Sequence, residues 1–328
     1  MKEKIKTVKS FICFYMTLPL FVFMILSTGI RALGEVPAEK AESDMEYDME
    51  EYEILPSENI RGEASNPDGT FPIIIKDLSK DYDILNSTDE VVDEATLLSY
   101  PLPSATSKAE PVVLVVHTHG TECYADESES FASADQDGYY GFYTTKSQTR
   151  TTDTENNMIA IGEAFCKVLA ENGIQSIQCR IMHDKDDYNS AYSNSRKSIK
   201  KYLEKYPSIQ YVIDIHRDSL GGDGGEKIKT MASELEECAQ VMLVAGCNGK
   251  GVVYPDWESN LSLALKYKEA MDNKYPSLSR PIYLRYSRYN LDLTTGSLLL
   301  EVGSCANTFK EALKAAELAA ECFAEMLK

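Results

Sequence analysis

Histidine is scarce in this chain, with four among 328 residues, and 33 Lys and Arg are set against 52 Asp and Glu, a formal net charge of -19 at pH 7. So acidic a chain is a poor nucleic-acid partner, because phosphate contacts need clustered Lys and Arg. The eight cysteines show no CxxC and no paired spacing. Several fall in apolar helix or strand patterns, where a free Cys behaves as a small hydrophobe, so mostly free thiols are expected. The remaining composition is globular, at 43% hydrophobic and 26% charged.

One stretch is built for lipid. Lys2, Lys4, Lys6 and Lys9 precede an uncharged apolar run over residues 11–30. About 20 apolar residues span a bilayer, whereas the apolar core of a cleaved signal is usually about 7–15. The run reads as an uncleaved signal anchor with its basic side inside; a cleaved signal peptide, ending at ALG before Glu35, is the competing reading. Either way the catalytic part is expected outside the cytoplasm, and the first reading makes this a single-pass protein of the cell membrane. Residues 1–34 are thus the anchor segment. Residues 35–108 form an acidic tether, self-repelling over 35–58, and an N-terminal extension with enough apolar residues to pack on the main domain. Residues 109–328 form the catalytic domain.

From Pro111 onward, short apolar runs alternate with helical patterns. PVVLVV, SIQCRIM, IQYVIDIH, KIKTMA, QVMLVAGC, PIYLRYS and SLLLEVG read as strands. Helices are expected from about 158, after a capping-box spacing at Thr152 and Glu155 and up to Gly173, then over 191–206, 259–274 and 307–327. The long polar, tyrosine-rich stretch 124–149 reads as a functional loop. The alternation predicts an α/β fold, a mixed, mostly parallel sheet with helices on both faces.

Three of the four histidines lie in two segments directly after strands, HTHGTE at 117–122 and DIHRDS at 214–219. Side chains at parallel strand ends converge on one edge of a sheet, where such folds build their sites. His119 and Glu122 form HxxE, and His216 adds a second imidazole. Two imidazoles and a carboxylate leave a coordination position open for water, as zinc chemistry requires. Glu301, at the end of SLLLEVG, is the candidate general base. Arg217 is a candidate for binding a substrate carboxylate or carbonyl, and Asp214 and Asp218 for orienting the imidazoles. His117, two residues before His119, is the alternative ligand or a supporting residue. His183, in MHDKDDY, reads mainly as a polar loop residue.

HTHGTE, DIHRDS and LLLEVGS, together with AYSNSR (191–196), YPSLSRPIYLR (275–285) and YNLDLTTGSLLLEVG (289–303), resemble the stage II sporulation protein P family. The resemblance runs from about Pro111 to the C-terminus, and the basic leader with its apolar run also fits. It implies a zinc-dependent N-acetylmuramoyl-L-alanine amidase fold, of the amidase/phosphorylase-hydrolase kind, acting on peptidoglycan during forespore engulfment, with possible endopeptidase activity on peptide cross-links. It also implies the stage II sporulation proteins D and M as partners. The family's metal and catalytic positions would fall on the His117/His119 pair, Glu122, His216 and Glu301. Two readings compete: an amidohydrolase barrel, in which HxH after the first strand binds metal, and a non-catalytic module that binds cell wall.

Overall fold

The computed structural model describes residues 73–104, 109–125, 150–221 and 227–328. All of them belong to the second of two units into which the chain divides, Asp48–Lys328. The expected anchor, the acidic run, most of the 124–149 loop and the glycine-rich turn at 222–225 lie outside the described residues.

The strands are β1 (Ile73–Lys76), β2 (Ile84–Asn86), β3 (Val113–Val116), β4 (Ser176–Gln178), β5 (Tyr211–Asp218), β6 (Lys227–Thr230), β7 (Val241–Gly246), β8 (Ile282–Arg285) and β9 (Ser297–Ser304). The helices are α1 (Glu94–Leu98), α2 (Met158–Glu171), α3 (Ala191–Lys205), α4 (Trp257–Lys274) and α5 (Phe309–Met326). Seven strands make one open sheet in the order β2-β8-β7-β9-β5-β3-β4. Every pairing in it is parallel except β7 with β9. The sheet is therefore mixed and mostly parallel, as expected, and its open edges at β2 and β4 remove the barrel alternative.

The period of two along a strand sends alternate side chains to opposite faces. Val113, Val115, Tyr211, Ile213 and Ile215 enter a large apolar core with Phe165 of α2, Tyr267 of α4 and Phe323 of α5. Leu114, Val116 and Val212 meet a smaller cluster on the other face, built with Ile199 of α3 and packed by Tyr202 and Leu203. Both faces being covered explains why these strands read as unbroken apolar runs.

Helix α2 is capped by Asn157, whose side chain accepts from the Ile159 N–H, and not by the Thr152–Glu155 pair. A true capping box stands at α5, between Thr308 and Glu311. The N-terminal extension is more deeply built in than the 109 boundary implied. β2 pairs with β8 as an edge strand of the main sheet, and Leu97 of α1 is buried in the large core. β1 pairs in parallel with β6, so the expected KIKTMA strand leaves the main sheet for a two-stranded one. No helix among the described residues is long and apolar enough to cross a membrane. The seven cysteines among them are all free thiols.

Candidate functional site

β9, β5 and β3 are neighbours and run parallel, so their C-terminal ends share one edge. His216 and Glu301 stand opposite each other in the β5–β9 register, just before the pairing slips between His216 and Asp218. β3 ends at Val116 and a tight turn comes next, so the extended geometry that would aim His117 and His119 the same way is lost.

The two histidines diverge. His117 Nδ1 lies 3.2 Å from the Ile215 carbonyl and Nε2 lies 3.0 Å from Gln178 Nε2. Full burial pushes its pKa down to about 4, so the ring is neutral, donating from Nδ1 and accepting at Nε2. No ring nitrogen is left for a metal. Helix α2 closes over it at Gly162, where an added Cβ would sit 2.4 Å from the imidazole.

His119 has both ring nitrogens buried without a hydrogen-bond partner. Its ring stacks on Tyr188 at 4.5 Å and 18°, and meets the rings of Tyr192 at 5.6 Å and His216 at 5.4 Å edge-on. Tyr188 and Tyr192 are four residues apart across a 3-10 turn into α3, so they share a face. Asp184 approaches from the loop after β4. It accepts from the Thr121 N–H (3.1 Å) and hydroxyl (2.5 Å) and lies 3.7 Å from His119 Nδ1. Gly120 permits this approach, since a Cβ there would stand 2.9 Å from Met182. Arg150 closes the rim, ion-paired with Asp184 at 2.5 Å and stacked over Tyr188 at 4.4 Å.

His216 is held between two carboxylates. Nε2 lies 3.1 Å from Asp214 Oδ1, at ion-pair distance but off the hydrogen-bond direction, and Nδ1 lies 3.7 Å from Glu122 Oε2. Asp214 is itself fixed by the Thr118 N–H at 2.9 Å and hydroxyl at 2.5 Å. Burial alone would lower the His216 pKa, but Asp214, Glu122 and Glu301 outweigh it and hold it at about 10. Burial pushes Glu301 up to about 8, and its Oε2 has no partner. Burial also works to raise Asp184, but contacts with His119 and Thr121 pull it down to about 2.

Two expectations change here. Arg217 is buried and turned to structural work: its backbone N–H donates to Glu122 Oε2 at 3.2 Å, and Nε to the Cys123 carbonyl at 3.0 Å. It holds the HTHGTE segment. Asp218 pairs with Arg280 at 2.8 Å and not with an imidazole. Asp214 stands beside an imidazole, its Oδ1 3.1 Å from His216 Nε2. His183 is buried, donating from Nδ1 to the His117 carbonyl at 2.9 Å.

Among the described residues, no three His, Cys, Asp or Glu side chains converge on one point as a ready-made metal cage. The donor set still fits a zinc ion. An imidazole carries at least one N–H or lone pair that burial makes costly to leave unmatched, and His119 leaves both of its nitrogens so. The carboxylates around His216 call for a positive charge, which a proton or a metal can supply. His119, His216 and Glu122 are the residues that would hold such an ion, and Asp214 Oδ1 lies 3.1 Å from Nε2 of His216.

Tyr188, Tyr192, Asp184, Arg150 and Arg280 were not singled out from the sequence. The motifs AYSNSR and YNLDL contained a hint, since Arg196 and Asp292 form a two-pronged ion pair at 2.7 and 2.8 Å. Asn290 adds bonds of 2.9 Å to the Tyr192 carbonyl and to Ser195. These contacts fix the start of α3, and with it Tyr192, against the site.

Among solved structures, the chain is similar to the N-acetylmuramoyl-L-alanine amidase AmiC2 of Nostoc punctiforme, at 13% identity over 67% of this chain and 96% of that one, with a TM-score of 0.36. It is also similar to the CwlD amidase of Clostridioides difficile, solved with the GerS lipoprotein, at 11% identity over 66% and 98%, with a TM-score of 0.38. A curated relative, Stage II sporulation protein P of Bacillus subtilis (strain 168), is 30% identical over 235 residues, 68% of this chain. The match spans about half of that relative, 53% of its length. The profile of the family described as Stage II sporulation protein P matches residues 27–324. A match running through nearly the whole chain, on the motifs that build the strand-end site, makes this protein a member of the stage II sporulation protein P family.

Proposed function

We propose that this chain is a zinc-dependent peptidoglycan hydrolase that cuts the amide between N-acetylmuramic acid and L-alanine during forespore engulfment. The observation that carries the reading is the buried His119, with neither ring nitrogen hydrogen-bonded, 5.4 Å ring to ring from His216, whose register neighbour Glu301 is a second buried group with an unpartnered oxygen. A module that only bound cell wall would gain nothing from burying a carboxylate oxygen without a partner.

In this reading His119, Glu122 and His216 hold the zinc. When bound, the ion polarises the amide carbonyl and makes water acidic enough to attack near neutral pH. Glu301, whose ionised form a bound cation would favour, takes a proton from the water and returns it to the nitrogen of the leaving alanine. Asp214 keeps His216 in one orientation, and Arg217 does the same for Glu122 through its backbone N–H. Peptidoglycan is the substrate. Residues 11–30 anchor the chain in the cell membrane with the site outside, and the stage II sporulation proteins D and M are its partners. Loss of membrane association on deleting residues 11–30, and co-isolation of D and M with the full chain, test those two parts.

The test of the activity is mass spectrometry of muropeptides released from purified sacculi by the full chain, with its zinc content measured alongside. Free stem peptides beginning at L-alanine support the amidase reading, whereas cut cross-links would identify the other bond. Absence of stoichiometric zinc in active protein would sink the metal assignment. Glu301→Gln is expected to keep its zinc and lose at least about a hundredfold in rate; loss of zinc in that variant would make Glu301 a ligand.

A further inference from the structure

Tyr192 stands between the two candidate ligand imidazoles. Its ring lies almost parallel to that of His216, at 6.3 Å and 16°, and edge-on to that of His119 at 5.6 Å. The residue keeps some exposure, but its hydroxyl oxygen is buried and has no hydrogen-bond partner. A buried hydroxyl without a partner is destabilising, and phenylalanine would fill the same place without that cost. The backbone around it is fixed by the Asn290 bond to the Tyr192 carbonyl and by the Arg196–Asp292 pair. The ring is therefore held firmly while its polar end is left unmatched, as a group reserved for a ligand would be.

Resting on the hydrolase reading, we infer that the Tyr192 hydroxyl is a catalytic hydrogen-bond donor to the oxygen of the scissile amide. In the reaction a bond forms between the water oxygen and the carbonyl carbon, and the C–N bond breaks. The proton lost by water ends on the amine nitrogen by way of Glu301. The carbonyl oxygen carries growing negative charge in between, and Tyr192 donates to it throughout, neither gaining nor losing a proton. A donor aimed at charge that develops only in the transition state acts on kcat and leaves KM nearly unchanged.

The experiment compares the full chain with its Tyr192→Phe variant in zinc content, circular dichroism, and kcat and KM for muropeptide release from sacculi. Tyr192→Phe keeps the ring against His216 and removes only the donor. The expected result is full zinc, unchanged folding and KM, and kcat lower by about 10²–10³, the usual loss for one such donor. Replacing Tyr192 with 4-aminophenylalanine, which keeps a donor at that point, is expected to restore part of the rate. A Tyr192→Phe chain working at the parent kcat overturns the inference while leaving the hydrolase reading intact. A variant that unfolds or loses zinc also overturns it, because the hydroxyl would then serve the architecture. A parent chain with full zinc and no release from sacculi instead sinks the hydrolase reading, and this inference with it.

Discussion

Strands β3 and β5 present alternate side chains to two unlike surroundings. On one face Val113, Val115, Ile213 and Ile215 enter the large core under α2, α4 and α5, where Phe323 meets the rings of Tyr211 and Tyr267 at 5.6 and 5.1 Å. On the other, Leu114, Val116 and Val212 meet a much smaller cluster, and Asp214 and His216 carry the same strand on into a polar site. The contrast repeats in the HTH tripeptide: both ring nitrogens of His117 have hydrogen-bond partners, and those of His119, two residues on, have none, with only Asp184 at 3.7 Å. One face supplies stability by burying apolar surface, at roughly 1.5–3 kcal/mol for each large side chain. The other holds groups in poorly matched surroundings, where a ligand can complete them.

If that division is right, variants on the two faces should fail in different ways. The largest effect is expected for His216→Ala, which should lose zinc and activity together, the rate falling more than about a thousandfold because Lewis acidity and water activation vanish at once. Elemental analysis and muropeptide release check it, with chemical unfolding changed much less. Phe323→Ala is the converse. It should lose about 3–5 kcal/mol of stability by denaturant titration, while the folded fraction keeps its zinc and its turnover. A chain beginning at Ala109 lacks β1, β2 and the buried Leu97 and should be less stable than the full chain by at least about 2 kcal/mol; equal midpoints would restore 109 as a true domain boundary. The smallest effect is expected for His117→Ala, about 1–3 kcal/mol from the unmatched Ile215 carbonyl and Gln178 amide, with zinc retained. His119→Ala should lose the zinc. If the two histidine variants behave alike, the division within the tripeptide fails.

Much of this was legible in the chain because it is local. Continuous apolar runs marked the strands, and strand-end histidines with Glu301 marked the edge where the site lies. The free thiols were expected from the absence of paired spacing. What was not legible depends on contacts distant in sequence or on where a turn begins. Nothing in PVVLVVHTHG says that the strand stops at Val116, yet that stop separates His117 from His119. MHDKDDY drew attention to His183, whereas its neighbour Asp184 reaches the site, because Gly120 lets that loop come close. Arg217 looked available until the Cys123 carbonyl claimed it. Tyr192 looked like one tyrosine among 20; only the packing of α3 against residues 289–293 gives it a place.

The parallel pair of β1 with β6 has a mechanical consequence. Tension on the chain ahead of Ile73 enters the described fold at β1, whose four residues are zipped to Lys227–Thr230 in register. β6 is braced in turn by the buried Lys229–Glu311 contact to α5 and by Asn307, which bonds Thr230. A pull is thus taken first by a small outlying ribbon and passed from β6 both to the closing helix and, through the Ser304 hydroxyl on the Ile228 carbonyl, to the end of β9, the strand that carries Glu301.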